Sequence, residues 1–141
     1  MNANLYFACS ITGGREDEAV YQAIVGALLA AGYQVPTAHL AGSGIMALEK
    51  AADAVEIYRR DTTWIKGCDA LIAEISTPSH GVGYEIGYAL NLSKPVLCCY
   101  REGAIVSKMI LGNQDPLLQI RSYSDPAMVS QLVLNFVDEV I

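Results

Sequence analysis

Two apolar runs, ALIAE at residues 70–74 and VLCCY at residues 96–100, flank the segment STPSHGVGYEIGYALNLSKP, and this stretch decides the fold. Each run is short, apolar throughout and bounded by loop residues, which is typical of a strand buried on both faces. The segment between them opens with loop residues and then predicts a helix over residues 82–92, which ends before Lys94 and Pro95. A strand, a helix and a second strand of this kind predict two parallel strands joined by a crossover helix.

The same alternation continues on both sides of this unit. Towards the amino end the pattern predicts a strand at residues 5–9, a helix from Asp17 that Gly32 stops, a second strand at residues 33–40, and a helix over residues 47–66 with a break near Asp53 or Asp61. Towards the carboxyl end it predicts a short helix at residues 106–111, a fifth strand at residues 118–123 and a last helix over residues 126–141. We therefore predict an α/β protein with a doubly wound five-stranded parallel sheet, flavodoxin-like or Rossmann-like, formed as a single domain over residues 1–141.

Composition and charge exclude several classes of function. Hydrophobic residues make up 52% of the 141 residues and charged residues 17%, which excludes a disordered chain and predicts a well-filled core. The net charge of −6 argues against binding that depends on neutralising a nucleic-acid backbone or an anionic membrane. The longest apolar stretch, about residues 23–33, is too short to span a bilayer, and no basic region of an export signal precedes it. We expect a cytoplasmic protein with no nucleic-acid or membrane partner.

The cysteines predict neither a metal site nor a disulfide framework. Cys9, Cys68, Cys98 and Cys99 form no C-x-x-C motif, and neither histidine lies at ligand spacing from another candidate ligand. We expect four buried thiols in a reducing compartment and no bound metal.

A candidate anion site follows the first predicted strand. In a doubly wound sheet, ligands bind beyond the carboxyl ends of the strands, so residues 10–15, 76–84 and 101–107 are the candidate loops. The first of them, SITGGR, combines flexible backbone, hydroxyl groups and a cation at the start of a helix, which favours a phosphate. An ordinary turn, in which Arg15 pairs with Glu16, Asp17 or solvent, explains the same residues equally well.

Two acidic residues are candidates for catalysis. We expect Glu85 in the first turn of a helix, where the backbone dipole lowers its pKa and keeps it ionised, and an ionised carboxylate can attack an electrophilic carbon. A glutamate that only complements the dipole is the alternative. Asp61 precedes the third predicted strand and would add a second carboxylate to the same cleft, as in glycoside chemistry. By itself the sequence favours an Asp61 that pairs with Arg59, Arg60 or another surface cation.

As an ordered set, these motifs resemble the 2'-deoxynucleoside 5'-phosphate N-hydrolases of the nucleoside 2-deoxyribosyltransferase superfamily. The resemblance covers residues 5–123 and rests on Tyr6-Phe7, Ser10-Ile11, Gly13-Gly-Arg-Glu-Asp17, Asp61 with Trp64, Thr77-Pro-Ser79, Gly81-Val-Gly-Tyr-Glu-Ile-Gly87, Lys94-Pro95 and Val106-Ser107-x-Met109-Ile110. It implies cleavage of the N-glycosidic bond of a deoxynucleotide, with release of a free base and 2-deoxyribose 5-phosphate and without a metal or other cofactor.

The resemblance also implies a role for each residue of the site. Glu85 matches the nucleophile that attacks C1' and forms a covalent deoxyribosyl ester, Asp61 matches the residue that protonates or positions the departing base, and Tyr6 lies near the sugar and the nucleophile. The substrate-binding and phosphate-binding positions are Ser10, Ile11, Thr12, Gly13, Gly14, Arg15, Ser79, Gly81, Gly83, Ser107 and Met109. Ser107 matches a position that reaches the phosphate of a neighbouring subunit, which implies a homodimer with shared sites.

Two departures from the family pattern keep alternative functions open. The N-hydrolases carry arginine where this chain has Thr12 and Leu111, and the loss of two cations weakens the case for a 5'-phosphate. The runner-up is a deoxyribosyltransferase, in which a second base instead of water captures the sugar. A nucleotide-binding sensor without turnover is the third reading, against which Glu85 and Asp61 both argue. We expect part of the base-facing surface to come from residues 41–46.

Overall fold

The computed structural model describes residues 2–11 and 16–141, and in them strands and helices alternate. The strands are β1 (Leu5–Ala8), β2 (Ala70–Glu74), β3 (Val96–Arg101) and β4 (Leu118–Tyr123). The α-helices are α1 (Glu18–Ala30), α2 (Ile45–Ala51), α3 (Ala54–Gly67), α4 (His80–Asn91), α5 (Lys108–Leu111) and α6 (Val129–Val140), and Ala38–Ala41 and Pro126–Met128 form 3-10 turns. The predicted α/β class is confirmed.

The sheet has four parallel strands within the described residues, in the order β1-β2-β3-β4, so the prediction of five strands is wrong. The segment predicted as the second strand adds a single bridge at the free edge of β1. There the Gln34 N–H donates to the Ala3 carbonyl at 3.0 Å, and the Leu5 N–H donates to the Gln34 carbonyl at 2.8 Å. Pro36 has no N–H to extend this ladder, which confines such a residue to edges and turns. The chain then enters a 3-10 turn.

Helices cover both faces of the sheet because successive side chains of each strand point in opposite directions. Leu5 and Phe7 of β1 pack in a core with α1 and α6. Tyr6 and Ala8 point to the other face and pack in a second core with α3 and α4. This alternation turns the Tyr6 side chain towards the helix that carries Glu85.

The helices α3 and α4 both differ in detail from the sequence pattern. The helix predicted over residues 47–66 is two helices, α2 and α3, and the break near Asp53 is confirmed, because Ala52 and Asp53 have extended backbone. Helix α4 begins two residues earlier than predicted. Its cap is Ser79, whose side chain accepts a hydrogen bond from the Val82 N–H at 3.3 Å. Glu85 therefore lies in the second turn of α4.

The prediction of four buried thiols is confirmed, since all four cysteines are free and buried. Burial raises the pKa of the Cys68 thiol to about 11 and that of Cys98 to about 12, so both stay protonated at neutral pH. A bilayer could not be crossed by any helix within residues 2–11 and 16–141, because none is both long and apolar enough.

Candidate active site

A cavity of about 410 Å³ opens between α2, α3 and α4, next to the residues that follow β1. Carboxyl side chains from all three helices line it: Glu49 from α2, Asp61 from α3 and Glu85 from α4. Ile11, after β1, and Ser79, after β2, line the same cavity. The cavity thus lies at the carboxyl ends of parallel strands, where ligands of such sheets bind.

Glu85 is held by a hydrogen bond from the neighbouring strand. The hydroxyl of Tyr6, a fully buried residue of β1, donates to Glu85 Oε2. Burial raises the pKa of Tyr6 well above its ordinary value, and the charges of Glu85 and Asp61 raise it further, so Tyr6 keeps its proton. The contact fixes one oxygen of the carboxyl group on the wall of the cavity.

The pKa of Glu85 is raised, not lowered, which corrects the prediction made from the helix dipole. Burial is the largest cause and the negative charge of Asp61 adds to it, while the hydrogen bond from Tyr6 acts in the opposite direction; the resulting pKa is about 7. The helix dipole acts mainly within the first turn, and the first turn of α4 holds no acidic residue. Glu85 is therefore poised between its protonated and ionised forms near neutral pH.

Asp61 both faces the cavity and forms the ion pair that the sequence suggested. Its Oδ1 accepts a hydrogen bond from Arg60 Nε at 2.8 Å, and Arg60 also contacts Glu49 Oε1 at 3.2 Å. The side chain of Asp61 is 18% exposed and that of Arg60 is 31% exposed, so this ion pair is partly buried. The structure therefore contains both the ion pair between Arg60 and Asp61 and an Asp61 side chain that lines the cavity.

The predicted phosphate-binding residues divide into three groups. Ile11, Ser79 and Gly81 line the cavity with Glu85, and Ser10 is fully buried directly after β1 and Cys9. Thr12, Gly13, Gly14 and Arg15 lie outside the described residues. The third group does not line this cavity and consists of Gly83, Ser107 and Met109.

This third group lines a second cavity of about 480 Å³ on the other side of α4. Ser79 and Val82 line both cavities, so α4 separates them at its amino end. Ser107 caps the short helix α5, where its hydroxyl accepts from the Met109 N–H at 3.2 Å. Met109 is 86% exposed. Within one chain these residues do not line the cavity of Glu85.

Several residues of the cavity were missed by the sequence reasoning. Glu49, Lys50, Tyr58 and Tyr84 line it, whereas none of residues 41–46, which we expected to face the base, does so within the described part of the chain. Spacing offers a signal for one of them, because Tyr58 precedes Asp61 by three residues and so shares its helix face. Glu49 carries no comparable signal, since it lies on a separate helix.

The arrangement offers carboxylate chemistry. Among residues 2–11 and 16–141, no three His, Cys, Asp or Glu side chains are grouped so that they could hold a metal ion. Three acidic side chains line one cavity of this parallel α/β fold, and a tyrosine holds one of them, Glu85. Carboxyl groups that share a cavity are the catalytic groups of enzymes that cleave glycosidic bonds, and this is the class that the site indicates.

Comparison with known proteins names the family. The family model described as Nucleoside 2-deoxyribosyltransferase matches residues 5–117, and the chain belongs to this family. A Methanosarcina mazei protein with the provisional name 2'-deoxynucleoside 5'-phosphate N-hydrolase 1 is 40% identical over 134 residues, which cover 95% of this chain and 83% of that protein. The 5-hydroxymethyl-dUMP N-hydrolase of Mus musculus is 40% identical over 134 residues, which cover 92% of this chain and 77% of that protein.

A solved structure shares the fold. The CMP N-glycosidase of Clostridium botulinum superposes with a TM-score of 0.70 and covers 93% of this chain and 98% of its own. Its sequence is 19% identical to this chain, so the likeness establishes the common fold.

Proposed function

We propose that this chain hydrolyses the N-glycosidic bond of 2'-deoxynucleoside 5'-monophosphates to a free base and 2-deoxyribose 5-phosphate. The observation that carries the proposal is the position of the Glu85 carboxyl group. It accepts a hydrogen bond from the Tyr6 hydroxyl and lies on the wall of a cavity that Asp61 also lines. The names of two relatives at 40% identity support the same substrate class.

In the first step, an ionised Glu85 oxygen forms a bond to C1' while the bond from C1' to the base nitrogen breaks and its electron pair leaves with the base. The carboxylate stabilises the positive charge that develops on the sugar and then captures it as an ester. Asp61 protonates or positions the departing base. Tyr6 holds one oxygen of Glu85, which restricts the carboxyl group to a small set of orientations.

In the second step, water attacks C1' and the ester bond to Glu85 breaks, which regenerates the Glu85 carboxylate and releases the sugar phosphate. The proton that the water loses returns to Asp61 if Asp61 protonated the base, and otherwise goes to the departed base anion. Glu85 attacks C1' from the face opposite the base, and water then enters from the face that the base has left, so the configuration at C1' is retained. A 2'-hydroxyl would withdraw electrons from the developing cation, and its absence therefore favours deoxy substrates.

The 5'-phosphate is bound, in this proposal, by residues 10–15 together with Ser79 and Gly81 at the amino end of α4. Free N–H groups and the dipole at the start of a helix favour an anion. Ser107 and Met109 complete the site from a second copy of the chain. The exposed Met109 side chain and the Ser79 that lines both cavities are consistent with such a homodimer.

A substrate screen tests the proposal. Purified protein is incubated with the four common deoxynucleoside monophosphates and with the matching nucleosides, with and without a free acceptor base, and the bases are followed by chromatography. Release of base from the monophosphates alone supports the hydrolase. A new nucleoside that forms only with acceptor base supports the deoxyribosyltransferase, which Thr12 and Leu111 favour, and binding without turnover supports the sensor.

The covalent step has a separate test. A 2-fluoro analogue of the substrate slows the second step, so it should add the mass of the fluorinated sugar phosphate to a peptide that contains Glu85. Modification of another peptide, with Glu85 unmodified, would contradict the assignment of the nucleophile.

A further inference from the structure

Arg60 occupies an unusual position beside two carboxyl groups of the cavity, those of Asp61 and Glu49. Residues i and i+1 of a helix do not normally face each other, yet the Arg60 side chain folds back so that Nε donates to Asp61 Oδ1 at 2.8 Å. A terminal nitrogen of the same guanidinium contacts Glu49 Oε1 at 3.2 Å. One planar cation thus joins a carboxyl group of α2 to one of α3.

Packing holds this cation in place. The guanidinium carbon lies 5.0 Å from the centre of the Trp64 ring, one turn further along α3. Trp64 is itself in edge contact with the His39 ring, at 5.9 Å between ring centres. The side chain of Glu49 is 10% exposed and that of Arg60 is 31% exposed, so water screens these charges only in part.

We propose that Arg60 is a positioning residue of the reaction, which acts through Asp61, and that Glu49 holds it in place. The inference rests on the proposed function, because it assigns Asp61 to the departing base. Arg60 occupies Oδ1, and among the described residues Oδ2 has no hydrogen-bond partner, so this oxygen is left for the ligand of the cavity. The guanidinium also stabilises the carboxylate that remains once Asp61 has given a proton to the base.

The chain offers a matched control for this proposal. Arg59 carries the same charge one residue earlier on α3, but its side chain is exposed. Arg60→Gln and Arg59→Gln therefore change the net charge equally, and only Arg60→Gln removes the contact with Asp61. Melting temperature and circular dichroism of both variants establish that the proteins are folded.

Kinetics with bases of different leaving ability give the first readout. We expect Arg60→Gln to lower kcat roughly tenfold or more, the range that loss of a charged hydrogen bond produces, with a small change in KM. The loss should be larger for dUMP than for 5-fluoro-dUMP, because the fluorinated base departs more easily without help. Arg59→Gln should keep wild-type rates. Equal kinetics of the two variants, or a loss independent of the base, would overturn the proposal.

A double-mutant cycle shows whether Arg60 acts through Asp61. The cycle is measured at pH 9, where Glu85 is ionised with or without the charge of Arg60. In an Asp61→Asn background, Arg60→Gln should then cause little further loss, since its partner is already neutral. The same fold loss in both backgrounds would assign Arg60 a role of its own and contradict the inference. Arg60→Lys keeps the charge and should recover part of the rate lost in Arg60→Gln.

A titration without substrate keeps this inference separate from the proposed function. Burial raises the pKa of Glu85 to about 7, and the charge of Arg60 acts in the opposite direction. The other titratable residues that contact Glu85 or line its cavity are Tyr6, Cys9, Glu49, Lys50, Tyr58, Asp61 and Tyr84, and the substitution Arg60→Gln changes none of them.

Carboxyl ¹³C NMR of Glu85 should therefore show a midpoint at higher pH in Arg60→Gln than in Arg59→Gln. An unchanged midpoint would show that the charge of Arg60 does not act on the carboxyl groups of the cavity, and it would overturn the inference whether or not the protein releases a base. If the wild type releases no base from any monophosphate while the midpoint shifts, the proposed function fails and the placement of Arg60 is supported.

Discussion

The hydroxyl of Tyr6 on the first strand donates a hydrogen bond to Oε2 of Glu85, a residue 79 positions further along the chain. A donor of this kind stabilises the ionised carboxylate, and burial of the same group opposes ionisation. The balance of the two effects sets the protonation of the proposed nucleophile.

Removal of this donor should lower activity in a way that depends on pH. In Tyr6→Phe the Glu85 carboxylate loses its hydrogen bond, so we expect the pKa of Glu85 to rise and kcat/KM at pH 7 to fall roughly tenfold to a hundredfold. Part of the loss should be recovered at pH 9, where Glu85 is ionised in both proteins. The measurement is kcat/KM against pH, with Tyr33→Phe, which lies outside the cavity, as the control. A loss that is constant at every pH would show that Tyr6 does not affect the ionisation of Glu85.

The wild-type enzyme should show an acidic limb near neutral pH. An attacking carboxylate must be ionised, and burial raises the pKa of Glu85 to about 7. We therefore expect kcat/KM to rise about tenfold per pH unit below pH 7 and to level off above it. A profile that is flat between pH 5 and pH 8 would contradict the role of Glu85 as an ionised nucleophile.

Replacement of Glu85 should separate stability from activity. The pKa of Glu85 is raised on folding from 4.5 to about 7, so the folded protein binds this proton more tightly than the unfolded chain does. The resulting stabilisation is fully present below about pH 4.5 and is lost as the pH rises through about 7. Glu85→Gln is neutral at every pH and avoids that loss.

At pH 8 the free energy of unfolding of Glu85→Gln should exceed that of the wild type by about 1 to 3 kcal/mol, while turnover falls by orders of magnitude. Urea unfolding at pH 4 and pH 8 measures the first effect, with the exposed Glu56→Gln as the matched control. If Glu85→Gln is destabilised equally at both pH values, the inference that the buried charge of Glu85 lowers the free energy of unfolding is wrong.

The proposed homodimer makes a prediction about substrate selectivity. If Ser107 binds the phosphate of a neighbouring subunit, Ser107→Ala should raise KM for monophosphates about tenfold and leave KM for nucleosides nearly unchanged. Ser122→Ala, on the exposed side of β4, serves as the control. Sedimentation of the wild type at micromolar concentration checks the assembly itself. Equal effects of Ser107→Ala on both substrates, or a monomeric wild type, would remove Ser107 from the site.

Some local features of the site were predictable from the sequence because they depend on near neighbours. The apolar run at β2, the loop that follows it and the helix carrying Glu85 are patterns of a few residues. The break at Asp53 is of the same kind. Pro36, also visible in the sequence, was the signal that the second predicted strand would reduce to a bridge.

The sequence by itself determined the alternation of strands and helices, the burial of the thiols, and the presence of a glutamate and an aspartate in segments next to the same sheet edge. Only the tertiary structure decided the protonation of Glu85 and the partners of Asp61. Those properties arise where β1, α2, α3 and α4 meet, because burial and contacts between residues far apart in the chain set the cost of a charge. A pattern read along the sequence carries residue type and spacing, whereas the free energy of a buried carboxyl group depends on everything that surrounds it.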